Sequence, residues 1–234
     1  MTGPNAWTAG GRLGPVRRTD AAGVGAGAND RCPIAVFASG TGSNLEAMLR
    51  QQCHNPLWPA RVALVVSDKP GCRACEVARR AGVPVFAERV SAYPDKAAFE
   101  AAVLAQLRAH GVAGIALAGY MRIVGPTLLS AYPQRIVNLH PSLLPAFPGR
   151  QAVRDALAAG VRETGVTVHY VDEGIDTGPI IAQWRVPVDE GMTEEALLAR
   201  VHAVEHALYP AVMGELARMW SIEDAAGGSS AGSR

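Results

Sequence analysis

Apolar runs at 34–37, 62–66, 83–86 and 114–119 alternate with segments whose apolar residues recur every three or four positions, and nothing constrains the fold of this chain more. Strands without polar interruption belong to sheets covered on both faces, as in parallel sheets flanked by helices. Residues 43–52, 73–81 and 95–110 read as such helices; in the last, Phe99, Val103, Leu104 and Leu107 fall at helical spacing. Strand–helix–strand units joined by short Gly, Asp and Pro turns imply a doubly wound α/β fold, with a mostly parallel sheet and helices on both faces. Ligands of such folds sit beyond the carboxyl ends of the strands. Residues 166–171 and 180–188 alternate more and are expected to add antiparallel or mixed pairing. A final helix from 193 to about 220, with a bend expected near Pro210, closes the domain.

The 234 residues suffice for one domain, and a domain of about 200 residues buries roughly 70% of its unfolded surface. Residues 32–220 are expected to form it, with 1–31 and 221–234 as disordered extensions rich in small and polar residues. Charge is balanced, 22 Lys+Arg against 21 Asp+Glu, so no basic field exists to hold nucleic acid. No apolar stretch approaches the ~18 residues that span a bilayer, and the first residues lack the apolar core of a signal peptide, so no membrane partner is expected. Cys32, Cys53, Cys72 and Cys75 are too few and too irregular for a disulfide framework, which favours a cytoplasmic protein. Cys72-Arg73-Ala74-Cys75 has the spacing of a zinc or redox pair. A structural zinc site needs two more ligands and no second pair exists, so neither role is expected and no metal is assigned.

Chemistry concentrates in three places. Asn138 and His140 end the apolar run Ile136-Val137-Asn138-Leu139-His140-Pro141, two residues apart and therefore on one face of a strand. An amide donor beside an imidazole is what a carbonyl needs when its oxygen becomes negative under attack, although a His before Pro equally caps a turn. The loop Asp172-Glu173-Gly174-Ile175-Asp176-Thr177-Gly178-Pro179 presents a carboxylate between two strand-like segments. Ser39-Gly40-Thr41-Gly42-Ser43-Asn44 follows the first strand, where backbone N–H groups of a tight turn and a helix start converge on an anion. Ser43 and Glu46 also fit a capping box, and the glycines alone explain a sharp turn. The loop matches neither the P-loop nor the Rossmann glycine pattern, so a single phosphate monoester suits it better than ATP or NAD.

Taken together, residues 38–45, 117–123, 136–149 and 176–180 closely resemble the phosphoribosylglycinamide formyltransferases, a folate-dependent family of purine synthesis with a Rossmann-like fold. The resemblance spans about residues 33–218 and implies formyl transfer from 10-formyltetrahydrofolate, as co-substrate, to the amine of glycinamide ribonucleotide. By motif it makes Asn138, His140 and Asp176 the catalytic trio. It places the substrate phosphate on Gly42, Ser43 and Asn44, and Glu205 near the ribose hydroxyls. Met121, Arg122, Ile123 and Val124, with Asn138, match the folate pocket, and Lys96 falls where relatives often carry an Arg near the folate. Gln151 replaces a His that many relatives carry after Phe147-Pro148-Gly149.

In this reading Asn138 and protonated His140 stabilise the oxyanion of a tetrahedral intermediate, while Asp176 holds His140 and takes the amine proton, directly or through water. His54 and His110 are expected at helix ends or on the surface, His169 on a strand beside the site, and His202 and His206 in packing or facing the nucleotide; none is expected to be catalytic. A 10-formyltetrahydrofolate hydrolase and a non-catalytic nucleotide-binding module are the alternatives. A methionyl-tRNA formyltransferase would need a further nucleic-acid-binding domain. The chain is expected to work as a monomer or a homodimer.

Overall fold

In the first strand, β1 (Cys32–Phe37), Ile34 and Val36 face one side of the sheet while Ala35 and Phe37 face the other, and all four are buried. That two-sided burial is why the strand sequences are continuously apolar. The computed structural model describes residues 31–228; of the extensions expected at 1–31 and 221–234, residues 1–30 and 229–234 lie outside the described residues. β1 is followed by α1 (Ser43–His54), β2 (Ala60–Ser67), α2 (Arg73–Arg80), β3 (Val85–Ala87), α3 (Lys96–Ala109), β4 (Gly114–Leu117) and α4 (Pro126–Ala131). Then come β5 (Ile136–His140), α5 (Ala152–Ala158), β6 (Glu163–Tyr170), β7 (Ile180–Pro187) and α6 (Glu194–Gly228).

The seven strands lie in the order β3-β2-β1-β4-β5-β6-β7. Pairing is parallel from β3 to β5 and antiparallel from β5 to β7, the doubly wound sheet with mixed later strands that the patterning implies. The order reverses between β1 and β4, and a crevice opens beyond their carboxyl ends. α3 and α4 cover one face, with Phe99, Val103, Leu107 and Leu128 against Phe37, Leu64 and Ile115. α1 and α6 cover the other, with Leu45, Met48, Tyr209 and Met213 against Ile34, Val36 and Val137.

α6 fastens the sheet. The buried Tyr209 hydroxyl lies 3.0 Å from the carbonyl oxygen of Leu117 on β4 and 2.9 Å from that of Val137 on β5. The helix is assigned without a break through Pro210, whose carbonyl accepts from the Trp58 indole at 2.9 Å. It also runs to Gly228, beyond the expected end near 220 and into a stretch expected to be disordered. Arg135 accounts for the extension, since its guanidinium reaches Asp224 at 2.7 Å and Glu223 at 3.1 Å. Such pairing across 88 and 89 positions leaves no local pattern. Trp220 packs directly over Gly114, where any side chain would overlap its ring.

Candidate active site

The glycine loop leaves β1 and enters α1 through Gly42, which has φ +77°, the left-handed conformation that glycine adopts without a steric cost. A Cβ on Gly42 would also lie 2.8 Å from the Ala74 backbone on α2, so the residue is required twice over. The expected capping box does not form. Gly42, not Ser43, is the N-cap, and Glu46 turns to Arg73 at 2.8 Å. With no side-chain cap, first-turn N–H groups of α1 remain for an anion at residues that line the crevice. Asn44 donates through Nδ2 to Glu205 on α6 at 2.9 Å. Burial pushes the Glu205 carboxyl above its usual range, against the opposing pull of Asn44 and His202.

Beyond the loop, β5 and β6 assemble a polar centre. Asn138 and His140 share a face of β5, and the antiparallel register sets Asn138 opposite His169. Asn138 Nδ2 lies 3.1 Å from His169 Nε2 and donates to Asp176 Oδ1 at 3.2 Å. His169 Nδ1 faces the Tyr170 carbonyl at 2.8 Å, so it carries a proton, and Nε2 also faces Asp176 Oδ1 at 3.5 Å. His140 is anchored in the same manner: Nε2 faces the Phe147 carbonyl at 2.8 Å, while Nδ1 points to Asp176 Oδ2 at 3.4 Å. Gly149 N–H donates to that same oxygen at 2.8 Å. Asp176 itself has φ +55°, rare for a residue with a side chain, and is held there by these contacts. Burial pulls its carboxyl up, but hydrogen bonds from His169 and Gly149 and the charges of His140 and His169 together bring it below the ordinary range.

The far end of the crevice is apolar. Met121, Ile123 and Ile175 are 44%, 56% and 59% exposed and all line it. Buried Asp68 braces this segment by accepting from Ser39 Oγ at 2.5 Å and Arg122 Nε at 2.9 Å, and Met121 N–H donates to Ser39 Oγ at 3.1 Å. Burial raises the Asp68 carboxyl, yet Ser39 and Arg122 outweigh it and hold it low. From below, buried Glu100 on α3 accepts the Gly125 N–H at 2.6 Å.

One cleft of about 650 Å³ is thus lined by Gly42, Ser43, Asn44 and Glu205, by Asn138, His140 and Asp176, and by Met121, Arg122, Ile123 and Val124. Lys96 does not join them: it pairs with Glu100 at 3.7 Å and touches the apolar segment only through that carboxylate. Gln151 is exposed at the N-cap of α5 and outside the lining, and His169 and Gly149 support Asp176. His169 is the side chain whose part exceeds the sequence reading; the signal was one imidazole inside the apolar run 166–171. The contributions of Phe147 and Gly149 come from backbone, which residue type does not reveal. His54 and His110 lie at the ends of α1 and α3. Among the described residues no group of three or more His, Cys, Asp or Glu is arranged to hold a metal ion, and no helix is long and apolar enough to cross a membrane.

Residues 32–213 match the formyl transferase family. The phosphoribosylglycinamide formyltransferase of Bacillus subtilis (strain 168) is 53% identical over 183 residues, 78% of this chain and 93% of that protein. The trifunctional purine biosynthetic protein adenosine-3 of Drosophila pseudoobscura pseudoobscura is 40% identical over 187 residues, 79% of this chain and 14% of that protein. The crystal structure of glycinamide ribonucleotide transformylase 1 from Geobacillus kaustophilus is similar at a TM-score of 0.77 and 55% identity, covering 80% of this chain and 98% of that one.

Proposed function

Since the chain belongs to the formyl transferase family, we propose that it is an enzyme of purine biosynthesis that moves the formyl group of 10-formyltetrahydrofolate to the amine of glycinamide ribonucleotide. One observation carries the assignment: Asn138, His140 and Asp176 meet in a cleft that has a helix start without a side-chain cap at one end and exposed apolar side chains at the other. A ribonucleotide phosphate suits the first end and a pterin the second. Both substrates are diffusing small molecules, and the four free cysteines suit a cytoplasmic enzyme.

The residues divide the work by geometry. His140 is fixed through Nε2, so Nδ1 is its working nitrogen; protonated, it donates to the formyl oxygen as that oxygen becomes negative. Asn138 commits an amide hydrogen to Asp176, and it turns to the same oxygen when Asp176 takes up the amine proton. Asp176 is ionised for that task because its carboxyl lies below the ordinary range. The new bond joins the amine nitrogen to the formyl carbon. The bond to the folate nitrogen then breaks, and the proton held at Asp176 passes to that leaving nitrogen directly or through water.

The test is the absorbance change on conversion of 10-formyltetrahydrofolate to tetrahydrofolate, with and without glycinamide ribonucleotide. Turnover that requires the ribonucleotide is expected. Equal turnover without it would make the chain a hydrolase, and binding of both ligands without turnover would make it a nucleotide-binding module.

A further inference from the structure

The cysteine pair set aside for want of a second pair returns in three dimensions. Cys72 is the N-cap of α2 and Cys75 lies in its first turn, with their sulfur atoms 3.4 Å apart. A disulfide needs about 2.05 Å, so modest side-chain rotation separates this contact from a bond. The two thiols are unequal. Cys75 is buried, and Cys72 is half-buried with the Ser67 hydroxyl 3.3 Å from its sulfur. Burial pushes the Cys72 thiol up, but Ser67, the N–H groups of Cys75 and Ala74 and the Cys75 thiol outweigh it and draw it below the ordinary value. Burial pushes the Cys75 thiol up to about 11, and the neighbouring Cys72 adds to the rise. Cys72 is therefore the attacking thiol and Cys75 the resolving one.

The two residues between them hold the glycine loop and α1. Ala74 N–H donates to the Gly40 carbonyl at 3.1 Å, and the Ala74 Cα is the atom that a Cβ on Gly42 would strike. Arg73 reaches across to Glu46 on α1 at 2.8 Å. The first turn of α2 and the loop are thus packed and hydrogen-bonded together.

We propose that Cys72 and Cys75 form a reversible disulfide by exchange with low-molecular-weight disulfides such as oxidised glutathione, and that its closure loosens the glycine loop's hold on a phosphate. The Cys72 thiolate attacks one glutathione sulfur, forming a mixed disulfide and releasing one glutathione thiolate. Cys75 then loses its proton to solvent and its sulfur displaces the second glutathione from Cys72. Two protein thiols are oxidised and one glutathione disulfide is reduced to two thiols. The effect on phosphate binding rests on the proposed function; the disulfide does not.

The experiment equilibrates the full chain with oxidised and reduced glutathione, maps disulfides by mass spectrometry and measures KM for glycinamide ribonucleotide. In the oxidised protein, the peptide holding both cysteines is expected to have lost two hydrogen atoms. KM is expected to rise about threefold or more and to return with dithiothreitol. Cys75→Ser is expected to keep the wild-type KM when reduced and to trap glutathione on Cys72. Absence of the 72–75 link in excess oxidised glutathione, or labelling of Cys72 no faster than exposed Cys53, overturns the proposal. A link that leaves KM unchanged overturns the coupling to the loop. If the reduced protein has no activity, the functional reading fails, and disulfide mapping still decides the chemistry.

Discussion

Each oxygen of Asp176 serves two neighbours: Oδ1 faces Asn138 and His169, and Oδ2 faces Gly149 and His140. Removing an oxyanion donor from such a centre costs rate more than binding. Asn138→Ala and His140→Ala are expected to lose on the order of 100 to 1,000-fold in kcat with KM within a few-fold, read by steady-state kinetics; unchanged kcat in either would remove that residue from the mechanism. Asp176 also ties stability to pH. A carboxyl whose pKa is depressed by folding adds stability above its unfolded value of about 3.9 and loses it as pH falls through the lower folded value. The stability gap between wild type and Asp176→Asn, measured by urea unfolding, is expected to shrink as pH falls from about 5 to below about 4. A gap that widened in acid would contradict the direction of the shift. Much of this centre is legible in one dimension because Asn138 and His140 are two residues apart on one strand. His169 is not, because its meeting with Asn138 is a matter of register between strands 31 positions apart.

Two elements hold the ends of the cleft. Glu100 on α3 places the 121–125 segment through Gly125, so Glu100→Ala leaves a buried N–H unpaired. It is expected to cost about 1–3 kcal/mol of stability and to raise KM for 10-formyltetrahydrofolate while leaving KM for the ribonucleotide near wild type. Gly42→Ala strains the other end through its positive φ and its overlap with Ala74, and is expected to raise the ribonucleotide KM selectively. Kinetics with each substrate varied in turn separate the two, and a uniform rise in both constants would point to general misfolding. At this scale β1, β2, β4 and β5 are readable because burial on both faces enforces apolar runs. α4 and α5 span 6 and 7 residues, too few to show a helical period. The capping box misleads for a physical reason: Gly42 takes the cap in a left-handed conformation, and Arg73, distant in sequence, claims Glu46.

Across the whole molecule the two halves of the sheet are joined at β4 and β5, and α6 lies over the junction through Tyr209. Tyr209→Phe leaves two buried carbonyl oxygens without that hydroxyl, an expected loss of about 1–3 kcal/mol seen as a lower urea midpoint; a midpoint equal to wild type would deny the hydroxyl this role. The doubly wound order is recoverable from the alternation of strands and helices, but the reach of α6 to Gly228 is not, since it depends on Arg135, which immediately precedes β5 and is 89 positions away from Asp224. The same arrangement sets an order of events at the ribosome. β1, β4 and β5 are all synthesised before Tyr209 and Glu205, so a nascent chain holds Asn138, His140 and Asp176 well before the helix that ties their strands and completes the nucleotide end of the cleft. The cleft is therefore without the Glu205 side of its lining until the last helix has been made and has docked.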